Sequence, residues 1–407
     1  MSAFPAVVVS GARQVGKSTL VRALFGGSGG YVVFDPFVDV ENARRDPDLF
    51  LDSHPERPLL LDEIQCAPEI VGALKRRIDR DRRPGQFVLT GSQQWQVIRS
   101  LSESLAGRAV FLDLEGFSVA EARREPDPPG WLGAWLEGED PGTAPESFAG
   151  APGSGRTLYE TLWRGSLPEA NLLELDLLPA FFEAYLRTYI ERDVRTLSDI
   201  GDFAAFTRFV QLAAALTAQE INYSHLGREI GLTPQTARRW LALLEGTFQV
   251  QRVEAYSNNA VKRVSGKPKG VFADTGLACA LQRISTPAAL GGHPFLGALF
   301  ETLVGGEIRK LAALVPTPPR FHHWRSAGGA EVDLLLERDG RFFPVEVKLS
   351  SHPSRRDTSG IAAFRRAYPG LPVAPGMVVA PVSRPFRLSE SDWAVPWNPI
   401  GPASAPG

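Results

Sequence analysis

Between Ala6 and Leu114 short apolar runs alternate with stretches whose apolar positions suit helices. AVVVS, YVVFD near 31, PLLLDE near 58, FVLTGS near 87 and AVFLDL near 109 carry uninterrupted apolar runs. A strand with one wet face would alternate, so these runs predict strands covered on both faces, as in a parallel sheet flanked by helices. The fold class expected here is α/β. From Thr157 to Gln219 the period changes: in LPAFFEAYLRTYIERDV apolar positions recur every three and four residues, which predicts a helical bundle. Residues 220–256, EINYSHLGREIGLTPQTARRWLALLEGTFQVQRVEAY, place two short helices around GLTP and then a β-rich hairpin, the order of a winged helix-turn-helix. From about Phe295 to Pro381 a helix, FLGALFETLVGGEIRKLAAL, precedes strands HHWRS, AEVDLLLER, FFPVEVKLS and GMVVA, a second α/β unit.

Composition adds punctuation to this pattern. Glu125 to Arg156 is rich in Pro, Gly and acidic residues and reads as a linker or a poorly ordered insertion, with Trp131 and Trp135 available to dock locally. The expected organisation is a first α/β domain over 1–125, an insertion over 126–156, a bundle over 157–219, a winged helix over 220–290, a second α/β domain over 291–385 and a tail over 386–407. Several domains are natural for 407 residues, and 43% hydrophobic with 22% charged residues excludes a disordered chain. A net charge of −2 excludes bulk attraction to nucleic acid, so any such contact must be local. Cys66 and Cys279 are far apart and lack neighbouring ligands, which excludes a disulfide scaffold or zinc cluster and points to the cytoplasm. The apolar run in MSAFPAVVVSG is too short for a signal peptide or a membrane span, so no membrane partner is expected.

Candidate chemistry is densest after the first strand. Gly11-Ala12-Arg13-Gln14-Val15-Gly16-Lys17-Ser18, followed by Thr19, fits GxxxxGK[ST] without mismatch, between an apolar strand and a helix-compatible stretch. Such a loop turns successive N–H groups and a helix N-terminus toward phosphate oxygens. Lys17 would neutralise the β- and γ-phosphates of ATP, and Ser18 would offer a hydroxyl to Mg²⁺. A Gly-rich strand-to-helix turn is the plainer alternative. The run Leu59 to Leu61 ends in Asp62 and Glu63, which places Asp62 near the metal and Glu63 where it could orient or deprotonate a water. The next strand ends in Leu89-Thr90-Gly91-Ser92-Gln93; Ser92 is the candidate sensor of the γ-phosphate, against a turn-forming serine.

GARQVGKSTL, LLLDEIQ, FVLTGSQ and SLAGR resemble the additional-strand P-loop NTPases, specifically a family of predicted bacterial and archaeal AAA-like ATPases with a C-terminal domain of unknown function. The resemblance implies that Arg108, which closes SLAGR, sits near the phosphates or serves a neighbouring subunit, and hence a homo-oligomer. A surface salt bridge is the alternative. It also implies a helix before the first strand, which a chain starting ten residues before Gly11 is expected to lack. YLRTYIERDVRTLSDIGD, GLTPQTARRWLALLE and GKPKGVFADTGLACAL resemble the second half of the same proteins.

In that half, Arg238 and Arg239 lie on the second helix of the helix-turn-helix reading, with Lys262, Arg263, Lys267 and Lys269 after it. They suit contact with DNA phosphates or guanine edges, or else form the solvated face of a protein-binding module. KRRIDRDRR at 75–83 mixes signs and reads as solvated surface. Glu331-Val332-Asp333 and Glu346-Val347-Lys348 fall on adjacent strands across the turn ERDGR, with Glu301 on the preceding helix. This resembles the PD-(D/E)xK restriction-endonuclease-like fold. Alternation puts Glu346 and Lys348 on one face, where Asp333 could join Glu346 on a divalent metal. A hairpin with cross-strand charge pairs is the alternative.

Overall fold

The computed structural model describes residues 3–27, 29–34, 40–91, 104–125, 130–148, 156–189, 194, 200–259 and 266–398. The chain divides into two compact units, Met1–Gly116 with Ala242–Gln249, and Phe117–Leu241 with Val250–Gly407.

In the first unit, strands β1 (Ala6–Ser10), β2 (Gly30–Val33), β3 (Leu59–Asp62), β4 (Phe87–Gly91) and β5 (Ala109–Asp113) form one sheet in the order β2-β3-β4-β1-β5, with every pairing parallel. Alternate residues of the apolar runs serve opposite faces. Ala6, Val8, Leu59, Leu61, Phe87 and Leu89 share a core with Ile70, Leu74 and Ile78 of the helix Ile70–Arg80. Val7, Val9, Leu60 and Val88 pack around Val21 of the helix Lys17–Phe25. Each fully buried large side chain contributes about 1.5–3 kcal/mol over leaving it wet, which is why the runs are continuous rather than alternating. The register sets Ser10 opposite Gly91 and Asp113, and β3 ends at Asp62. These residues therefore share the carboxyl edge of the sheet, where open parallel sheets bind their ligands.

The second unit holds helices in the stretch read as helical, among them Leu158–Arg164, Leu178–Thr188 and Phe203–Ala215, and a further one, Thr275–Leu281, beyond it. The helices Tyr223–Ile230 and Pro234–Gly246 are bounded by local signals. The Asn222 side chain accepts from the His225 N–H at 3.0 Å, Gly231 takes a left-handed φ of 75°, and Thr233 Oγ1 accepts from the Thr236 N–H at 3.1 Å. On the second helix Ala237 and Trp240 are buried and Arg238 and Arg239 are exposed.

Nine strands then form one sheet. They are β6 (Gln219–Glu220), β7 (Val250–Ala255), β8 (Lys269–Phe272), β9 (Arg320–Arg325), β10 (Glu331–Arg338), β11 (Arg341–Val347), β12 (Gly376–Ala380), β13 (Phe386–Arg387) and β14 (Asp392–Pro396), in the order β13-β14-β12-β11-β10-β9-β7-β8-β6. The hairpin near 250 and the second α/β unit, read from sequence as separate domains, are thus hydrogen-bonded to each other. Glu254 lies opposite His322 and Ala255 opposite His323 in a parallel β7–β9 ladder, which the Tyr256 N–H extends to the His323 carbonyl at 2.7 Å. The Tyr256 ring enters a core with Trp324, Phe342 and Phe364, edge-on to Phe342 at 4.8 Å between centroids.

Two further expectations change. The tail from 386 onward contributes β13 and β14, and β14 pairs in parallel with β12 from Gly376↔Asp392 to Ala380↔Pro396. The insertion carries a helix, Trp131–Glu137, whose Trp135 is fully buried, donates its indole N–H to the Pro375 carbonyl at 3.0 Å, and meets the Phe343 ring edge-on at 5.3 Å. The stretch read as a linker or poorly ordered insertion is thus helical here, and its two indoles dock as their size allows.

Candidate functional site

The loop after β1 needs backbone that few residues adopt. Gly11 has φ 145° and a Cβ there would run into the Leu114 carbonyl oxygen, while Gln14 and Gly16 take left-handed φ values of 62° and 95°. Lys17 opens the helix with its side chain folded back over the loop: only 6% exposed, its ammonium donates to the carbonyls of Gly11 at 2.9 Å and Ala12 at 2.7 Å. Val15 is buried, Ala12, Arg13, Gly16 and Ser18 are half-buried, and Gln14 and Thr19 are exposed. A helix N-terminus beside a buried ammonium is a place for phosphate oxygens.

Asp62, 3% exposed at the end of β3, is held by hydroxyls from three elements. Thr90 of β4 donates to Oδ1, Tyr31 of β2 donates to Oδ2 at 2.6 Å, and the Ser18 hydroxyl is a third donor. Burial works to raise this carboxyl, but the three hydrogen bonds outweigh it and hold the group below the ordinary carboxylate range, so it is ionised. Burial, and then the bond to Asp62, pushes Tyr31 up to about 12, so the phenol remains a donor; the Arg22 guanidinium covers its ring at 4.7 Å. Ser18 and Asp62 thus bring a hydroxyl and a carboxylate oxygen into contact, the hard donor set that Mg²⁺ takes, and the residues fit that ion. Glu63 follows in a left-handed conformation, φ 61°, with its N–H donating to Thr90 Oγ1 at 3.2 Å and its carboxylate accepting from the Gln65 amide. Its orientation is set from both ends.

Thr90 and Tyr31 were missed in the sequence. Thr90 stands two residues before Ser92 in the same LTGS run, and a polar residue closing an apolar strand is the available signal; Ser92 itself lies outside the described residues. Nothing local marks Tyr31, which reaches Asp62 only because β2 pairs with β3. Because Thr90 holds both the carboxylate and the Glu63 backbone, Thr90→Val should weaken any Mg²⁺ held with ATP at Asp62 by about 10–100-fold, the usual effect of losing a hydroxyl that orients a metal ligand. A magnesium titration of ATP binding that superimposes on the parent's would remove Thr90 from this role.

Arg108 is placed elsewhere. Its carbonyl accepts from the Ala6 N–H at 3.1 Å and it precedes β5, so it stands at the amino edge of the parallel sheet, a strand's length from the loop after Ser10. Its guanidinium grips Asp79 with two bonds, 2.6 and 2.9 Å. The expectation that it lies beside the phosphates of its own loop is therefore corrected, because the parallel register puts the two at opposite ends of β1.

In the second unit the four residues Glu301, Asp333, Glu346 and Lys348 are brought together, but with a lysine that the sequence reading had set on a basic surface. The β9–β10 register shifts between Val332 and Leu335, a span that includes Asp333. Asp333 Oδ2 accepts from the Val347 N–H at 2.8 Å and from Lys348 Nζ at 3.4 Å, and Lys348 also reaches Glu346 Oε2 at 2.8 Å. Glu301 accepts from Lys269 Nζ at 2.6 Å, and that ammonium lies 3.9 Å from Asp333 Oδ1. Lys269 is 7% exposed, so it does not belong to an exposed basic cluster; Lys262 and Arg263 lie outside the described residues. Burial pushes Glu346 up to about 9 and Glu301 up to about 7, with Asp333 adding to the first and Lys269 opposing the second. Among the described residues no group of three or more His, Cys, Asp or Glu is disposed to hold a metal, and no helix is long and apolar enough to cross a membrane. With Lys269 against Glu301 and Asp333, and Lys348 against Asp333 and Glu346, ammoniums already occupy the approach to these acids, and the set does not fit a resident divalent ion.

Three family profiles match the chain: an AAA domain over residues 3–123, a domain of unknown function, DUF8612, over 155–288, and a second, DUF4143, over 296–400. The parallel five-stranded sheet is that of an AAA-like P-loop domain, and the C-terminal domain of unknown function implied by the sequence is present. Among solved structures, a variant of Thermotoga maritima RuvB aligns over 65% of this chain and 88% of its own at 16% identity and a TM-score of 0.28. Protein VC1899 from Vibrio cholerae aligns over 94% and 90% at 11% identity and a TM-score of 0.15. Neither value carries an argument about fold. Two relatives, described as the uncharacterized proteins Rv2008c of Mycobacterium tuberculosis and Mb2031c of Mycobacterium bovis, are each 30% identical over 399 residues, covering 97% of this chain and 81% of theirs. The chain belongs to the family of these two mycobacterial proteins, and its own length joins an AAA domain to the DUF8612 and DUF4143 domains.

Proposed function

We propose that the protein binds ATP with Mg²⁺ in the loop from Gly11 to Thr19 and hydrolyses it, and that turnover drives its second unit on DNA in the cytoplasm. The observation that carries this reading is the ionised Asp62 bonded to Ser18 and Thr90, beside a buried lysine at a helix N-terminus. Ser18 and Asp62 would hold the magnesium ion, which neutralises phosphate charge when bound. Lys17 leaves the carbonyls of Gly11 and Ala12 and counters the charge that develops on the γ-phosphate. Glu63 orients a water for in-line attack and takes its proton. Arg108, facing away from its own loop, would serve a neighbouring copy in a homo-oligomer after releasing Asp79.

The winged-helix reading is supported by the succession of helices Tyr223–Ile230 and Pro234–Gly246, then β7 and β8, and by the exposure of Arg238 and Arg239 on the second helix. The restriction-endonuclease-like reading of β9 to β12 is supported by helix Leu296–Ala312 before them and by Asp333, Glu346 and Lys348 standing together. A second reading, a nucleotide-driven switch or scaffold that binds DNA or a protein partner without cutting, is favoured by the two lysines seated among the acids of that sheet. Calorimetry with Mg·ATP and phosphate release from the full chain test the first part. Absence of both in folded protein would end it. Incubation with plasmid and Mg²⁺, with and without ATP, separates cutting from binding alone, and gel filtration with nucleotide reads the assembly.

A further inference from the structure

Three acids and two lysines form a continuous ion-pair chain, Glu301–Lys269–Asp333–Lys348–Glu346, drawn from β8, the helix Leu296–Ala312, β10, β11 and the residue that follows β11. The two lysines differ in freedom. The Lys348 side chain is 33% exposed and can swing to solvent, whereas that of Lys269 is 8% exposed, between Glu301 and Asp333. Lys269 Nζ also lies 3.4 Å from the Asp333 carbonyl oxygen, so it meets both a carboxylate and a main-chain oxygen of the residue that would coordinate a metal. Arg309 lines the same groove, adding a further cation. A divalent ion placed beside Asp333 would face the Lys269 ammonium, which is held by Glu301 and lacks the solvent exposure of Lys348, and would set like charges against each other in a buried site.

We infer that the Lys269 ammonium takes the place of a divalent cation in this cluster, so that the restriction-endonuclease-like sheet is a metal-free module tied to the winged-helix strands through that lysine. The inference rests on the endonuclease-like reading of β9–β12 given above and makes no use of the nucleotide loop. Lys269 belongs to β8, which pairs with β7 and β6. Its bond to Glu301 and its approach to Asp333 therefore join the two halves of the sheet by charge as well as by the β7–β9 ladder.

The test is Mn²⁺ binding to the full chain without nucleotide, read from the electron paramagnetic resonance signal of free Mn²⁺. Wild type, Asp333→Asn and Glu346→Gln should bind the same amount, because no Mn²⁺ sits at the cluster. Lys269→Gln should gain one Mn²⁺ per chain, lost again in Lys269→Gln/Asp333→Asn, while Lys269→Arg, which keeps the cation, should gain none. Near-ultraviolet circular dichroism checks folding. Mn²⁺ in the wild type that disappears with Asp333→Asn or Glu346→Gln would overturn the inference, as would a folded Lys269→Gln that gains nothing. If Lys269→Gln does not fold, the wild-type comparison decides alone. ATP binding that depends on Lys17 is scored separately, so failure here is distinct from failure of the nucleotide reading.

Discussion

Lys17→Ala should reduce Mg·ATP affinity by roughly 10³-fold, with phosphate release falling at least as far. Each hydrogen bond to a charged group contributes about 1.5–3 kcal/mol, and the ammonium would make two such bonds, to the β- and γ-phosphates. The fold should survive, since the ammonium's bonds to Gly11 and Ala12 hold no other element in place. Calorimetry with Mg·ATP, alongside circular dichroism, is the measurement. An isotherm indistinguishable from the parent's in folded Lys17→Ala would mean that triphosphate is not held by this loop, and the assignment of the first unit would fall.

Glu63→Gln separates binding from chemistry. The carboxylate is fixed by the Gln65 amide and by a main-chain N–H tied to Thr90, while Asp62, not Glu63, meets Ser18. Turnover should therefore drop by about 10²–10⁴-fold, the range of a general base, with ATP affinity within a few-fold of the parent's. Single-turnover phosphate release and calorimetry on the same preparation read the two quantities. Turnover at the parent rate would transfer the role to another residue; a loss of affinity equal to the loss of turnover would mean that Glu63 holds the ion rather than the water.

Much of the first unit was legible because its signals are local. Continuous apolar runs mark buried parallel strands, GARQVGKST carries its own backbone requirements, and LLLDE ends an apolar strand in two acids. What depended on strand order was not legible. Tyr31 and Thr90 reach Asp62 because β2 and β4 flank β3, and nothing in YVVFD or LTGS states that order. For Arg108 the sequence leaves a surface salt bridge open beside the phosphate and subunit readings, and only the register of β5 on β1, which sets it at the far edge against Asp79, tells these apart within one chain. Lys269 misled for a similar reason. In GKPKG it stands among basic residues, and only the pairing of β8 with β7, and of β7 with β9, turns it toward Glu301. Trp131 and Trp135 were legible as groups able to dock, because large indoles stand out in a Pro- and Gly-rich stretch; the helix that carries them was not.

The boundary that the two domain-of-unknown-function profiles draw, between 288 and 296, falls in the sequence between strands that share one hydrogen-bonded ladder. A cut there strips β9 of β7 and leaves main-chain amides and carbonyls unmatched along an edge where His322, His323 and Trp324 are buried, an invitation to pair with another chain. Recombination or gene fusion would have to move 155–400 as one inheritable block.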